Sequence, residues 1–272
     1  MYRFFTICLL LIPACILAQR DSSFLLRSTV KGEIIDFNVD NLGNIYLVNS
    51  HGQIKKLNER GDSIAVFNEV RKGRPYSIDV TNPLKVLIYY REFGTVLVLD
   101  RFLNVRNTID LRRLNLFQVR TVGQSYDNGI WIFDELEGKI KRISDDGRIV
   151  DQSSDFRQIF DSMPSPQFIV DQNKNLYLYD SLKGVYTFDY YGSFKGRIPF
   201  LGWDYFSVIN STILGNNRQV LYRYEQRTLN LEQYSTRYLG EARKIKVTPN
   251  QLYLLRYNNV LEIYTFLPPP KS

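Results

Sequence analysis

Cysteine and histidine are almost missing from this 272-residue sequence, and their scarcity removes whole classes of chemistry. Both cysteines, Cys8 and Cys15, sit near the N-terminus, so the rest of the chain can form no disulfide and offers no thiol nucleophile. The single histidine, His51, cannot build a histidine-rich zinc site, and in a polar turn it reads as a surface residue rather than a general base. There is no Gly-x-Ser-x-Gly elbow and no glycine-rich phosphate loop. The acidic turns Asp127-Asn128-Gly129 and Asp145-Asp146-Gly147 lack the regular spacing and closing glutamate of a calcium loop. These absences lead to an expectation of no catalytic residues, no metal centre and no cofactor. Beyond the N-terminus no segment approaches the roughly 18 continuous apolar residues of a membrane helix, so no transmembrane span is expected.

The first residues have the layout of an export signal. Arg3 precedes the apolar run 4–12, Pro13 breaks it, and Ala18 offers a small residue for cleavage. Cleavage there leaves Gln19 as the new N-terminus. A second reading is a lipid anchor, because Ile12-Pro13-Ala14-Cys15 resembles a bacterial lipobox with Cys15 as the acylated residue. Either way the protein is expected to be exported and to be periplasmic or associated with the outer membrane.

The net charge is +7, yet the cations come in short clusters with acids close by, such as Arg112-Arg113 near Asp110 and Lys139 near Glu137. This is the pattern of a solvated surface. A nucleic-acid interface needs basic residues along one face with aromatics between them, so no nucleic-acid partner is expected. The 19 tyrosines and 17 phenylalanines instead suit strands.

They fall into a repeat of about 40 residues, a period at which repeats form propeller blades. In the first unit, strand-like runs near 34–39, 44–48, 53–57 and 63–67 are separated by turn residues such as Leu42-Gly43, His51-Gly52 and Gly61-Asp62. Similar units lie near 76–111, 118–152, 166–198, 205–234 and 243–266, the fifth degenerate and the sixth one strand short. Residues 24–29 can supply that strand and close the ring, covering an edge that would otherwise invite aggregation. The fold expected is all-β: one six-bladed propeller over 19–267, about four antiparallel strands per blade, monomeric, with a flexible tail at 268–272. Pairs such as Phe37/Val39, Ile78/Val80, Phe168/Val170 and Ile245/Val247 would pack between blades, as would the second-strand aromatics Tyr46, Tyr89, Trp131, Tyr177 and Tyr253.

On these residues the chain resembles bacterial six-bladed propellers of the NHL-like repeat type. Their repeat places an Asp before Gly-Asn-Ile-Tyr-Val, then Gly-x-Ile-x-x-Phe; Asp40, Gly43-Asn44-Ile45-Tyr46 and Gly52-Gln53-Ile54 follow it, and Asp171 with Asn175-Leu176-Tyr177 echoes it. The resemblance implies architecture, since such propellers include enzymes, ligand binders and scaffolds.

Two functions are expected from this. The first is a non-catalytic interaction or scaffold propeller of the bacterial cell envelope, with a protein partner bound by the loops 49–52, 91–94, 134–138 and 180–183. The alternative is an extracytoplasmic metal-dependent hydrolase or lyase, or a sugar binder, using the central channel. Its binding residues would be Asp36, Asn38 and Asp79, sharing the rim with Arg120, Lys244 and Lys246.

Overall fold

The computed structural model describes residues 24–266; residues 1–23 and 267–272, and with them the expected export signal, Cys15 and the tail, lie outside that span. The chain opens with β1 (Phe24–Val30). Blade 1 is β2 (Ile34–Val39), β3 (Ile45–Asn49), β4 (Ile54–Leu57) and β5 (Ser63–Phe67). Blade 2 is β6 (Ser77–Asn82), β7 (Lys85–Tyr90), β8 (Thr95–Asp100) and β9 (Val105–Asp110). Blade 3 is β10 (Val119–Gln124), β11 (Ile130–Asp134), β12 (Lys139–Ile143) and β13 (Ile149–Gln152). Blade 4 is β14 (Phe168–Gln172), β15 (Asn175–Asp180), β16 (Gly184–Asp189) and β17 (Phe194–Ile198). Blade 5 is β18 (Tyr205–Ile209), β19 (Thr212–Asn216), β20 (Val220–Glu225) and β21 (Asn230–Ser235). Blade 6 has β22 (Lys244–Val247), β23 (Gln251–Leu255) and β24 (Leu261–Phe266), with β1 as its fourth strand.

This is a six-bladed β-propeller of four-stranded antiparallel sheets. The expected closure by the N-terminal strand is observed: β1 pairs antiparallel with β24 from Phe24↔Phe266 to Val30↔Leu261, slipping by one residue at Arg27. Blade 5, degenerate in sequence, is structurally complete.

The core is divided into six wedges, one between each pair of neighbouring blades, because each sheet buries both faces near the axis. The second-strand aromatics Tyr46, Tyr89, Trp131, Tyr177 and Tyr253 are all buried in these wedges. In blade 4 Phe168 and Val170 are half-buried and pack against the wedge between blades 4 and 5, as expected, while Ile169 is buried in the wedge between blades 3 and 4. The Phe168 ring meets Tyr179 and Tyr205 at 6.2 Å in each case.

Between blades 4 and 5 the wedge is built on Trp203. Its indole lies 4.7 Å from the Phe200 ring and 5.1 Å from Tyr222, and its backbone N–H donates to the Tyr179 hydroxyl at 2.7 Å. The indole lies directly on Gly215 of β19, where a Cβ would fall 1.8 Å from a ring carbon. Gly215→Ala is therefore expected to cost about 2–3 kcal/mol by overpacking. Chemical denaturation followed by Trp fluorescence checks this, and an unchanged midpoint would contradict the packing described.

Candidate functional site

The inner strands of all six blades surround a channel of about 1220 Å³. Asp36, Asn38 and Asp79 line it, with Lys244, Lys246 and Tyr205. Arg120, expected on the same rim, does not line the cavity. It lies 3.9 Å from Glu135, and its backbone carbonyl accepts from the Arg91 guanidinium.

The three candidate ligands are engaged at the seams between blades. Asp36 accepts from Lys244 Nζ at 2.6 Å, joining blade 1 to blade 6. Asn38 accepts from Lys246 Nζ with its Oδ1 and donates with its Nδ2 to the Ile78 carbonyl at 2.6 Å, so it touches both neighbouring blades. Asp79 accepts the Gln124 backbone N–H at 2.7 Å across the seam to blade 3, and the Thr81 N–H at 2.8 Å. Arg243 adds a further link from blade 6, donating to the Ile34 carbonyl at 2.7 Å. Each of these side chains thus reaches a neighbouring blade from the channel lining. Among the described residues no three His, Cys, Asp or Glu side chains converge in a metal-sized cluster.

Lys246 is unusual within this set. Its Nζ has two acceptors, Asn38 Oδ1 and the Val39 carbonyl at 2.7 Å, and among the described residues no carboxylate is in salt-bridge contact with it. Enclosure in the channel lowers its pKa from 10.5 to about 7, and neighbouring Lys244 adds to the effect; Asp79, Asp40 and Asp36 oppose it from farther away. The side chain is half-buried and faces the cavity, so the charged form keeps some access to solvent. Burial likewise pushes the Tyr205 hydroxyl up to about 12.

The second candidate site is one face of the disc. Strand direction alternates within each blade, so the loops between second and third strands and the crossovers between blades emerge on the same side. The loop starts are capped by side chains that accept backbone N–H groups: Asn49 from His51 and Gln53 at 3.0 Å, Asp180 from Leu182 at 2.9 Å, Asn217 from Val220 at 2.8 Å. Asp134 caps its loop through Leu136 at 3.1 Å and is itself held by buried Lys141 at 2.7 Å. Burial works against the charge on Lys141, but its contacts with Asp134 and Glu137 prevail and raise its pKa.

In blades 1 to 5 the loop is also tied to the crossover that follows the blade. Arg74 donates to the Ser50 carbonyl at 2.8 Å, Arg112 to that of Glu92 at 2.7 Å and Arg157 to that of Glu137 at 2.9 Å. Arg237 donates to Gln219 Oε1 at 2.9 Å, and in blade 4 the Gly202 N–H takes the same place on the Ser181 carbonyl at 2.8 Å. Gly52 shows how close the two segments lie. Its φ is +81°, and a Cβ on it would fall 2.4 Å from the Gly73 carbonyl oxygen. Part of the basic excess of the chain is thus spent on clamps within this face.

The clamped loops present apolar tips. Leu182 is 83% exposed, Val70 75% and Phe117 61%, with Phe93, Leu136 and Leu201 also exposed. A recess of about 460 Å³ opens on the same side, lined by Gly202, Arg218 and Arg237. The loops were legible from their turn residues. The crossover contribution was not, because the crossovers lack a repeated motif; the recurrent arginine in them is the one signal that could have disclosed it.

No protein-family model matches this sequence, and no curated protein matches it. Solved structures do share its fold. A catalytically inactive virginiamycin B lyase from Staphylococcus aureus with quinupristin aligns with a TM-score of 0.59 at 13% identity, over 88% of this chain and 82% of the lyase. The Neurospora crassa Pan2 WD40 domain aligns at 0.59 and 11% identity, over 93% and 98%. The β-propeller domain of Cps50 (Swd1) from Myceliophteria thermophila aligns at 0.62 and 8% identity, over 90% and 100%. At these identities the likeness concerns the fold.

Proposed function

We propose that this chain is a non-catalytic interaction propeller of the bacterial cell envelope, of the NHL-like repeat type, exported and binding a protein partner through its clamped loop face. One observation carries the reading: on one side of the disc, arginine side chains, and in blade 4 the Gly202 N–H, tie the loops to the crossovers beside them, and apolar tips such as Leu182 and Phe93 stand exposed on loops held in this way. Rigid loops bind without a large ordering cost, and apolar groups exposed on them can supply the buried centre of an interface. The channel supports the same reading, since Asp36, Asn38 and Asp79 are occupied in holding blades together. The alternative, a hydrolase, lyase or sugar binder using the channel, draws its support from the volume of the cavity.

Leu182→Asp combined with Phe93→Asp is expected to reduce partner recovery at least about ten-fold, while the opposite-face variant Leu229→Asp leaves it unchanged. Quantitative affinity capture from envelope extract, with thermal melting to show that all three proteins are folded, measures this. Equal recovery by the two variants would reject the loop face as the binding surface.

A further inference from the structure

We propose, resting on the loop-face reading above, that the protein partner docks across blades 1 and 2 through an acidic segment that carries an apolar side chain. On the clamped side, the crossovers and the loop of these blades bring together Arg71, Lys72, Arg74, Arg91, Arg112 and Arg113, against the acids Glu69, Glu92 and Asp110. The loops of the same blades on the opposite side carry Arg60 and Arg101 against Asp40, Glu59 and Asp62. Charges that alternate along the sequence are thus sorted by the fold, and the clamped side of this sector is basic.

These cations are left without counter-charges. Among the described residues, Arg113 alone of the six has a carboxylate in salt-bridge contact, Asp110 at 3.5 Å. Arg74 and Arg112 donate to the carbonyls of Ser50 and Glu92. Arg91 donates to the Arg120 carbonyl, and its guanidinium lies 3.7 Å from the centroid of the Tyr76 ring. A carbonyl fixes a guanidinium in place but carries no net charge to cancel it. The neighbouring acids are turned to the backbone instead: Glu69 accepts the Arg71 N–H at 3.1 Å, and Asp110 the Arg112 N–H at 3.0 Å. The same arginines therefore hold the loops and leave a positive field over them.

The patch is continuous and partly apolar. Lys72 Nζ lies 5.3 Å from the centroid of the Phe93 ring, and the loop that carries Phe93 is the one Arg112 holds. Val70 and Phe117 stand exposed on the two crossovers that flank it. An acidic segment meets cations that are already positioned, so charge steers the encounter, and an apolar side chain on it covers Phe93. Apolar groups set among the cations suit a protein segment better than a purely charged surface.

Two charge-matched triple variants test this with a random copolymer of glutamate and tyrosine as the probe. Arg71→Glu/Lys72→Glu/Arg113→Glu reverses the patch without touching a clamp, and Arg60→Glu/Arg101→Glu/Arg227→Glu makes the same change in net charge on the opposite face. Biolayer interferometry at low salt is expected to show the patch triple binding at least about ten-fold more weakly than the opposite-face triple. In the wild-type chain, where no variant has to fold, carbodiimide coupling of the copolymer is expected at Lys72 in preference to exposed Lys174 on the opposite face. Equal binding by the two triples, or equal coupling at the two lysines, overturns the proposal. So does duplex DNA bound at this patch more tightly than the copolymer. A partner captured through Leu182 and Phe93 while the two triples bind alike would leave the loop-face reading standing and remove this one. A difference between the triples with no partner captured would count against the loop-face reading and not against the basic patch.

Discussion

Removing Phe24–Val30 is expected to lower the thermal midpoint by about 10 °C or more. β1 is the outer strand of the last blade, and its ladder to β24 joins the two ends of the chain. Most of its side chains are exposed, so its contribution does not come from general burial. It comes from Phe24, which is buried against Phe266 with ring centroids 4.9 Å apart and belongs to the wedge between blades 5 and 6. Truncating a buried phenylalanine costs about 3–5 kcal/mol, and at this chain length each kcal/mol moves the midpoint by about 2–4 °C. Loss of the strand also leaves β24 as a raw edge. The Lys244–Asp36 pair is part-exposed and adds at most about 1 kcal/mol, so it cannot replace the strand. Differential scanning calorimetry of the truncated protein and of Phe24→Ala gives the answer; a truncated protein melting within about 2 °C of the intact one would show that the ring closes without β1.

Lys246 is expected to make stability rise with pH across the neutral to mildly alkaline range. Its folded pKa of about 7 lies below the 10.5 of an exposed lysine. Between those values the unfolded chain holds a proton that the folded chain does not, so stability increases as pH climbs from about 7 towards 10. Below pH 7 both states are protonated and folding carries the whole cost of charging the channel amine. Lys246→Met removes that cost together with the links to Asn38 and Val39. Relative to wild type, the variant is therefore expected to be most favourable near pH 6 and to fall behind by on the order of 3 kcal/mol towards pH 9.5. Urea denaturation of both proteins across this range checks the sign. A difference that stays constant with pH would mean that Lys246 titrates as an ordinary exposed lysine.

The sequence carried the architecture because the propeller repeats its turn chemistry and strand alternation locally. Gly43, Gly52 and Gly61 punctuate the first blade at the positions where the backbone needs positive φ, and the later blades follow with Gly94, Gly138, Gly147 or Gly192. The pairing of β1 with β24 was legible from a missing strand at one end and a spare one at the other. The channel was only half legible. Asp36, Asn38 and Asp79 were placed on the lining, but their partners Lys244, Lys246 and Gln124 are fixed by how neighbouring blades abut, and no local pattern encodes that. Arg120 was misplaced for a related reason: β10 slips register between Val119 and Thr121, and Thr121 and Val122 line the channel in its stead. The loop tips could be named from turn residues, whereas Arg74, Arg112, Arg157 and Arg237 look like ordinary surface cations until their carbonyl partners are seen.

Site-specific photocrosslinking in the native host tests the interaction reading most directly, with the reactive residue placed at Leu182, at Phe93 or at Leu229. The account predicts that Leu182 and Phe93 on the clamped face yield the same crosslinked protein and that Leu229 on the opposite face does not. Crosslinks of equal yield from both faces, or none from the clamped face, would contradict it.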